Sequence, residues 1–120
     1  MPQQLSQQAL DAIVEQIVKV LDPEMIILFG SYARGDAGPD SDVDIAIVAQ
    51  TSESRHRVVS QILWSLRHLR LPVDLVLFTP ERWRYFRQVW SSFPSLIEET
   101  GRVIYERTGS AARTGAGVAG

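Results

Sequence analysis

The sequence predicts an α/β protein, of the α+β kind, in which helices pack on one small mixed sheet. Three short apolar runs, Met25–Phe29, Val43–Val48 and Val73–Phe78, have the length and composition of buried strands. Two longer segments, residues 5–21 and 53–70, repeat apolar side chains at the spacing of a helix with one buried face. Because the order along the chain is helix, strand, turn, strand, helix, strand, a single sheet covered by helices is the expected arrangement.

The remaining elements follow from turn and capping signals. Thr79-Pro80-Glu81 combines a hydroxyl cap, a proline and an acid, and predicts a third helix from about Pro80 to Trp90. We expect a fourth helix over Pro94–Thr100 that ends at Gly101 as a left-handed cap. The last strand, Arg102–Glu106, is expected at an edge of the sheet.

The chain has the size and composition of one globular domain, with 120 residues, 45% of them apolar and 22% charged. We expect residues 1–107 to form that domain and residues 108–120, mostly glycine, alanine, serine and threonine, to be a disordered tail. The lack of cysteine excludes thiol nucleophiles, zinc ribbons and disulfide frameworks. No apolar run reaches the length of a membrane helix, so we expect no membrane association and a cytoplasmic location.

Charge is distributed unevenly along the chain, although the net charge is only −2. Residues 1–60 hold 4 basic and 9 acidic side chains, whereas residues 61–120 hold 8 basic and 5 acidic ones. Neither half has the strongly basic balance of a duplex-binding protein, so we expect no direct nucleic-acid binding. The acidic half is better suited to binding a metal ion.

Aspartates stand at the starts of the second and third apolar runs. Asp42 and Asp44 are two residues apart, so on a strand both carboxylates project from the same face. Adjacent negative charges repel each other unless a cation lies between them, which makes the pair suitable for Mg²⁺. Asp74 has the equivalent place in the third run, and a neighbouring strand would bring it to the same end of the sheet. Each acid could instead end a strand or cap a turn, but the cost of burying unpaired charge favours the metal site.

A glycine and a serine follow the first apolar run. Gly30 lets a ligand approach the backbone closely, and Ser31 can cap a short helical turn of the kind that binds phosphate. Arg34 would lie on the same face of that turn and neutralise phosphate charge. A Gly-Ser pair alone usually marks only a loop, and it becomes informative here through its fixed distance from Asp42 and Asp44.

The run from Gly30 to Val48, GSYARGDAGPDSDVDIAIV, resembles the signature of the DNA polymerase beta-like nucleotidyltransferases. In that signature Gly-Ser is followed after ten residues by Asp-x-Asp, and the spacing here is the same. Asp74, in LPVDLVLF, resembles the third acid of the family, and the resemblance extends over about residues 8–106. The small size is similar to that of the minimal nucleotidyltransferases (MNT), stand-alone domains often encoded beside a helical partner of the HEPN class.

This resemblance implies an antitoxin that transfers AMP from ATP to a hydroxyl group, on a tyrosine of a HEPN ribonuclease toxin. It implies two Mg²⁺ ions as cofactors and a nucleoside triphosphate as substrate. The implied catalytic and metal-binding residues are Asp42, Asp44 and Asp74, and the implied phosphate-binding residues are Gly30, Ser31 and Arg34.

Two other functions stay open at this point. The same fold could neutralise its partner by binding alone, without catalysis. It could also transfer a nucleotide to a small molecule such as an aminoglycoside, as a homo-oligomer that completes the acceptor site between subunits. Three acids kept within apolar sequence argue against the loss of catalysis.

Residues 82–90 are rich in arginine and aromatic residues, the types enriched at binding hot spots. At helical spacing Trp83, Phe86 and Trp90 share one face, so we expect all three to pack on the sheet. Tyr85 falls off that face and is the better candidate for contact with a partner.

Overall fold

A computed structural model describes residues 5–107 of the chain. The helices are α1 (Gln7–Leu21), α2 (Ser31–Arg34), α3 (Arg55–Ser65), α4 (Pro80–Phe86) and α5 (Phe93–Thr100), with a 3-10 turn at Arg67–Leu69. The strands are β1 (Met25–Phe29), β2 (Val43–Val48), β3 (Val73–Phe78) and β4 (Arg102–Glu106). The predicted tail, residues 108–120, lies outside the described residues.

The four strands form one mixed sheet in the order β3-β2-β1-β4. β1 is antiparallel to both β2 and β4, whereas β2 and β3 are parallel. A parallel pair needs a long crossover, which α3 provides between β2 and β3. The predicted α/β fold with a small mixed sheet is confirmed, and β4 lies at an edge as expected.

Both faces of the sheet are covered by helices. On one face, Ile17 of α1 and Ile62 of α3 are buried in the same cluster as Ile45 of β2. On the other face, Trp83 of α4 and Ile97 of α5 share a cluster with residues of β1 and β2. We call these the α1–α3 face and the α4–α5 face. Because the central strands are buried on both sides, they are continuous apolar runs rather than alternating ones. Within residues 5–107, none of the helices combines the length and the apolar character needed to cross a bilayer.

Most helices begin at side-chain caps. At the start of α4 the Thr79 hydroxyl oxygen accepts a hydrogen bond from the amide of Arg82 at 3.2 Å, as the sequence predicted. Ser54 caps α3 in the same way. The helix predicted over residues 53–70 is shorter, because regular α structure ends at Ser65 and the chain continues as the 3-10 turn.

Helix α4 is also shorter than predicted, ending at Phe86 instead of Trp90. The Ser92 hydroxyl donates a hydrogen bond to the Phe86 carbonyl and also caps α5, which holds the chain in a tight turn between the two helices. Trp90 lies in this turn and is 90% exposed, whereas Trp83 is buried. The prediction that Trp83, Phe86 and Trp90 pack together on the sheet is therefore wrong for Trp90, because the helix ends before reaching it.

Gly101 does not form the predicted left-handed cap. Its backbone is extended, with φ −90° and ψ 176°. A glycine is needed at this position because a Cβ would lie 2.6 Å from the carbonyl oxygen of Ile97 and 2.8 Å from Cγ2 of Ile27. The position requires glycine because the end of α5 lies in close contact with β1, and not because the backbone is left-handed.

Candidate active site

Asp44 and Asp74 lie directly opposite each other on the parallel strands β2 and β3. On the other side of β2, Asp44 is paired with Phe29 of β1. Neighbouring strands are about 4.8 Å apart and paired residues project from the same face, so the two carboxylates lie side by side. That face is the α4–α5 face, because Ala46, two residues beyond Asp44, belongs to its cluster. The expectation that a neighbouring strand brings Asp74 to the same end of the sheet as Asp44 agrees with this register.

Asp42 precedes β2 and is exposed, as is Asp74, whereas Asp44 is partly buried. Burial raises the pKa of the Asp44 carboxyl, and the negative charges of Asp74 and then Asp42 raise it further. The positive charge of Arg34 acts in the opposite direction. Three of the other predicted site residues, Asp74, Asp42 and Arg34, therefore act electrostatically on Asp44.

The backbone bend at Gly30 touches the carboxylates. Gly30 has φ 75° and ψ −156°, a conformation open essentially to glycine alone. A Cβ at Gly30 would collide with Oδ2 of Asp44 and would lie 3.0 Å from its Cγ. Glycine is thus required here twice, by its backbone angles and by the approach of Asp44.

Ser31 is the first residue of α2 and not its cap, which corrects one detail of the prediction. Gly30 takes the cap position, and its carbonyl oxygen accepts hydrogen bonds from the amides of Ala33 and Arg34, each at 3.1 Å. Because the cap residue is a glycine, α2 begins without a side-chain capping hydrogen bond. The predicted neighbourhood of the Gly-Ser pair and the acids is present, with the glycine nearest to Asp44.

Arg34 is exposed at the end of α2. Its Nε lies 3.4 Å from Oδ2 of Asp36, and both side chains are largely accessible. An ion pair of this kind contributes little to stability and leaves the guanidinium free to exchange partners. Arg34 is therefore available near the site, and its present partner is Asp36.

The donor set fits a divalent cation of the Mg²⁺ type in part. In the region that the structure describes, no three His, Cys, Asp or Glu side chains are gathered closely enough to enclose a metal ion by themselves. Mg²⁺ in proteins is usually held by one or two carboxylates, with phosphate oxygens and water as the other ligands. Asp44 and Asp74, adjacent and mutually repelling, match that partial set.

Aromatic rings border the acids, and the sequence analysis did not identify them. The rings of Phe29 and Phe93 meet edge to face with centroids 5.7 Å apart, and Phe93 meets Phe78 at 5.9 Å. Phe93 is 48% exposed. The position of Phe93 depends on how α5 packs over the sheet, which the sequence does not reveal. Of these rings, only Phe29, directly before Gly30, could have been linked to the site from the sequence.

The mixed sheet, the adjacent carboxylates and the glycine bend against them define a domain of the nucleotide-transferring class. The family model described as "Nucleotidyltransferase domain" matches residues 10–99. The chain belongs to this nucleotidyltransferase family, which confirms the resemblance found in the sequence.

One curated relative is 35% identical over 80 residues, which make up 67% of this chain and 76% of the relative. It is a Methanocaldococcus jannaschii protein named "Putative protein adenylyltransferase MJ0604". A crystal structure of a toxin-antitoxin with AMP-PNP is similar with a TM-score of 0.61 at 22% identity, over 91% of this chain and 86% of that one. A mutant of the toxin-antitoxin MntA-HpeT gives a TM-score of 0.60 at 18% identity, over 96% of this chain and 85% of that one. These two structures establish likeness of fold.

Proposed function

We propose that this protein is a Mg²⁺-dependent adenylyltransferase that moves AMP from ATP onto a hydroxyl group of a partner protein. The observation that carries the proposal is the register of Asp44 with Asp74 beside the Gly30 bend. The name of the M. jannaschii relative supports a protein acceptor, and the neighbour with AMP-PNP supports an adenine nucleotide. The toxin-antitoxin neighbours support a role as an antitoxin, with a tyrosine of a HEPN-type toxin as the acceptor.

Each site residue has a defined part in this reaction. Asp42, Asp44 and Asp74 would hold two Mg²⁺ ions together with the triphosphate, and Gly30 and Ser31 would bind the β- and γ-phosphates. Arg34 adds positive charge beside them. When bound, Mg²⁺ neutralises the triphosphate and the developing charge on the leaving group.

The transfer is an in-line displacement at the α-phosphorus of ATP. The acceptor hydroxyl oxygen forms a bond to this phosphorus while the bond to the bridging oxygen of the β-phosphate breaks, and pyrophosphate leaves. Asp74 accepts the hydroxyl proton. Its place on the edge strand β3 and its exposure leave room for a large acceptor to approach.

A protein partner also accounts for the exposed apolar patch near the turn between α4 and α5. Tyr85, Val89, Trp90 and Leu96 are 61%, 38%, 90% and 49% exposed. Clusters of large exposed apolar side chains mark interaction sites in soluble proteins. We propose that this patch, which we call the Trp90 patch, contacts the toxin.

The test is transfer of label from ATP. With Mg²⁺, ATP labelled at the α-phosphate should label a HEPN-type toxin, whereas ATP labelled at the γ-phosphate should not. The variant Asp42→Ala/Asp44→Ala should keep its fold and lose transfer, because the two carboxylates repel each other and removing them opens no core cavity. Asp11→Ala, an exposed acid on α1, is the matched control and should keep transfer.

Three results would contradict the proposal in different ways. If the double variant still transfers AMP, Asp42 and Asp44 are not the catalytic residues. Neutralisation of the toxin without transfer indicates an antitoxin that acts by binding alone. Labelling of an aminoglycoside in place of the toxin indicates a small-molecule enzyme. Thermal unfolding with ATP and Mg²⁺ checks nucleotide binding separately, with about 2.7 kcal/mol of stabilisation expected at a hundred times the dissociation constant.

A further inference from the structure

We infer that Phe93 forms the surface on which the adenine ring of bound ATP stacks. This inference rests on the proposed function and adds a specific residue for recognition of the nucleoside. It starts from the half-exposed ring of Phe93, which contacts Phe29, the residue paired with Asp44.

Phe93 is linked to the site through Phe29. Phe29 is paired with Asp44 across β1 and β2, so its side chain is the direct neighbour of that carboxylate. The Phe93 ring lies edge to face against Phe29, at 5.7 Å between centroids and 81° between ring planes. The acids and Phe93 therefore border the same open part of the α4–α5 face.

The surroundings of Phe93 fix its orientation while leaving much of it uncovered. Phe78 makes a second edge contact with it, at 5.9 Å and 67°. Phe93 opens α5, directly after the capping Ser92 and before the buried Pro94. A ring held in this way loses little conformational freedom when a ligand covers it, and 48% of its surface remains available.

The row of paired residues separates a nucleotide side from an acceptor side. Across the sheet the order is Phe29, Asp44, Asp74. Asp74 lies on the edge strand β3, which a macromolecular acceptor can approach freely. Phe29 lies on β1, the strand that runs directly into the Gly30 bend, where the phosphates are proposed to bind. A nucleoside attached to phosphates on that side lies beside Phe29 and can reach the Phe93 ring, which spans from Phe29 of β1 to Phe78 of β3.

The chemistry of the ring suits a nucleobase. Stacking of a base on an aromatic side chain contributes about 1 to 3 kcal/mol by alanine substitution, which is roughly 5- to 150-fold in affinity. The triphosphate interacts with the acids and the bend, so the contribution of the ring should be confined to the base. ATP and inorganic tripolyphosphate should therefore respond differently to its removal.

The experiment is calorimetric titration of the full chain with ATP and with tripolyphosphate, both in Mg²⁺. Phe93→Leu keeps apolar volume against Phe29 and Phe78 but removes the ring, and it should weaken ATP binding about fivefold or more. Tripolyphosphate binding should not change. Phe93→Tyr restores the ring and should bind ATP as the wild type does. Val103→Ala is the control, since Val103 of β4 is an apolar residue with the same exposure, 49%.

The possible results separate this inference from the proposed function. Wild-type ATP affinity in Phe93→Leu overturns the inference alone, and so does equal weakening of both ligands, which indicates a distorted site. If Phe93→Leu keeps ATP affinity but raises the KM for the protein acceptor, the ring faces the acceptor and the inference is again wrong. A wild-type chain that binds neither ligand removes the proposed function, and the inference fails with it.

Discussion

Asp44 of β2 and Asp74 of β3 are direct partners in the register of two parallel strands, so their carboxylates lie side by side near the start of both strands. Two like charges at this separation raise the free energy of the folded state, and burial of Asp44 adds to the cost. The protein should therefore be less stable than the same fold without this pair of charges. A cation bound between the two carboxylates, as proposed, would relieve this cost and raise the free energy of unfolding.

Asp44→Asn should therefore stabilise the protein at neutral pH in the absence of divalent cations. The expected gain is about 0.5 to 2 kcal/mol, the usual result of relieving unfavourable charge. Chemical unfolding at pH 7 with a chelator measures it, and Asp40→Asn, an exposed acid that does not act on Asp44, should change little. A loss of stability in Asp44→Asn would show that its carboxylate is compensated within the fold.

The direction of the pH dependence follows from the raised pKa of Asp44. The folded state holds the Asp44 proton at pH values where the unfolded chain has released it, so stability falls as the pH rises from 3.8, the ordinary value for Asp, through the raised value. Binding of Mg²⁺ has the opposite trend, because it needs the ionised carboxylate. ATP binding in Mg²⁺ should weaken as the pH falls through the same range.

Neutralising Asp74 should change the pKa of the Asp44 carboxyl. In Asp74→Asn the pKa of Asp44 should shift back toward its ordinary value, because Asp74 is the largest charge contribution to the increase. Carboxyl carbon NMR of Asp44 over a pH series measures the shift. The same series in Asp40→Asn should match the wild type, and a common curve for all three proteins would contradict the coupling.

Local patterns in the sequence were sufficient for the strands and for the grouping of Gly30 with Asp44 and Asp74. The first three strands are short, predominantly apolar runs, and the spacing from Gly30 to Asp42 is fixed along the chain. The pairing of Asp44 with Asp74 was accessible because both acids open similar strands that a crossover helix makes parallel. The strands and the Gly30-to-Asp42 spacing are each determined by a few residues that are close together in the sequence.

Features that depend on packing between distant elements were missed. The end of α4 is set by the hydrogen bond from Ser92 to the Phe86 carbonyl, and this bond places Trp90 in solvent. Gly101 is needed because β1 lies against the end of α5. Phe93 contacts Phe29 only because of the way α5 packs on the sheet. Helical spacing contains no information on these contacts.

Gly30→Ala should abolish nucleotide transfer and lower the free energy of unfolding. The new Cβ would collide with Asp44, and the backbone angles add a cost of about 1 to 3 kcal/mol. Gly35→Ala is a close control, since Gly35 has φ 86° but nothing within 4 Å of a Cβ. It should lose about 1 kcal/mol of stability and keep its activity. Transfer assays and chemical unfolding on both variants give the comparison, and equal activity of the two would contradict a role for the bend.

Trp90→Ser should weaken the complex with the toxin without affecting the fold. Trp90 is 90% exposed, so its removal leaves no cavity, but a tryptophan at the centre of an interface typically contributes about 2 kcal/mol or more, roughly a 30-fold change in affinity. Trp64→Ser is the matched control, because Trp64 is 68% exposed on α3, which packs on the other face of the sheet. Binding of each variant to the HEPN-type toxin, measured beside thermal unfolding, distinguishes the two surfaces. A weaker complex with Trp64→Ser and an unchanged one with Trp90→Ser would move the interface to α3.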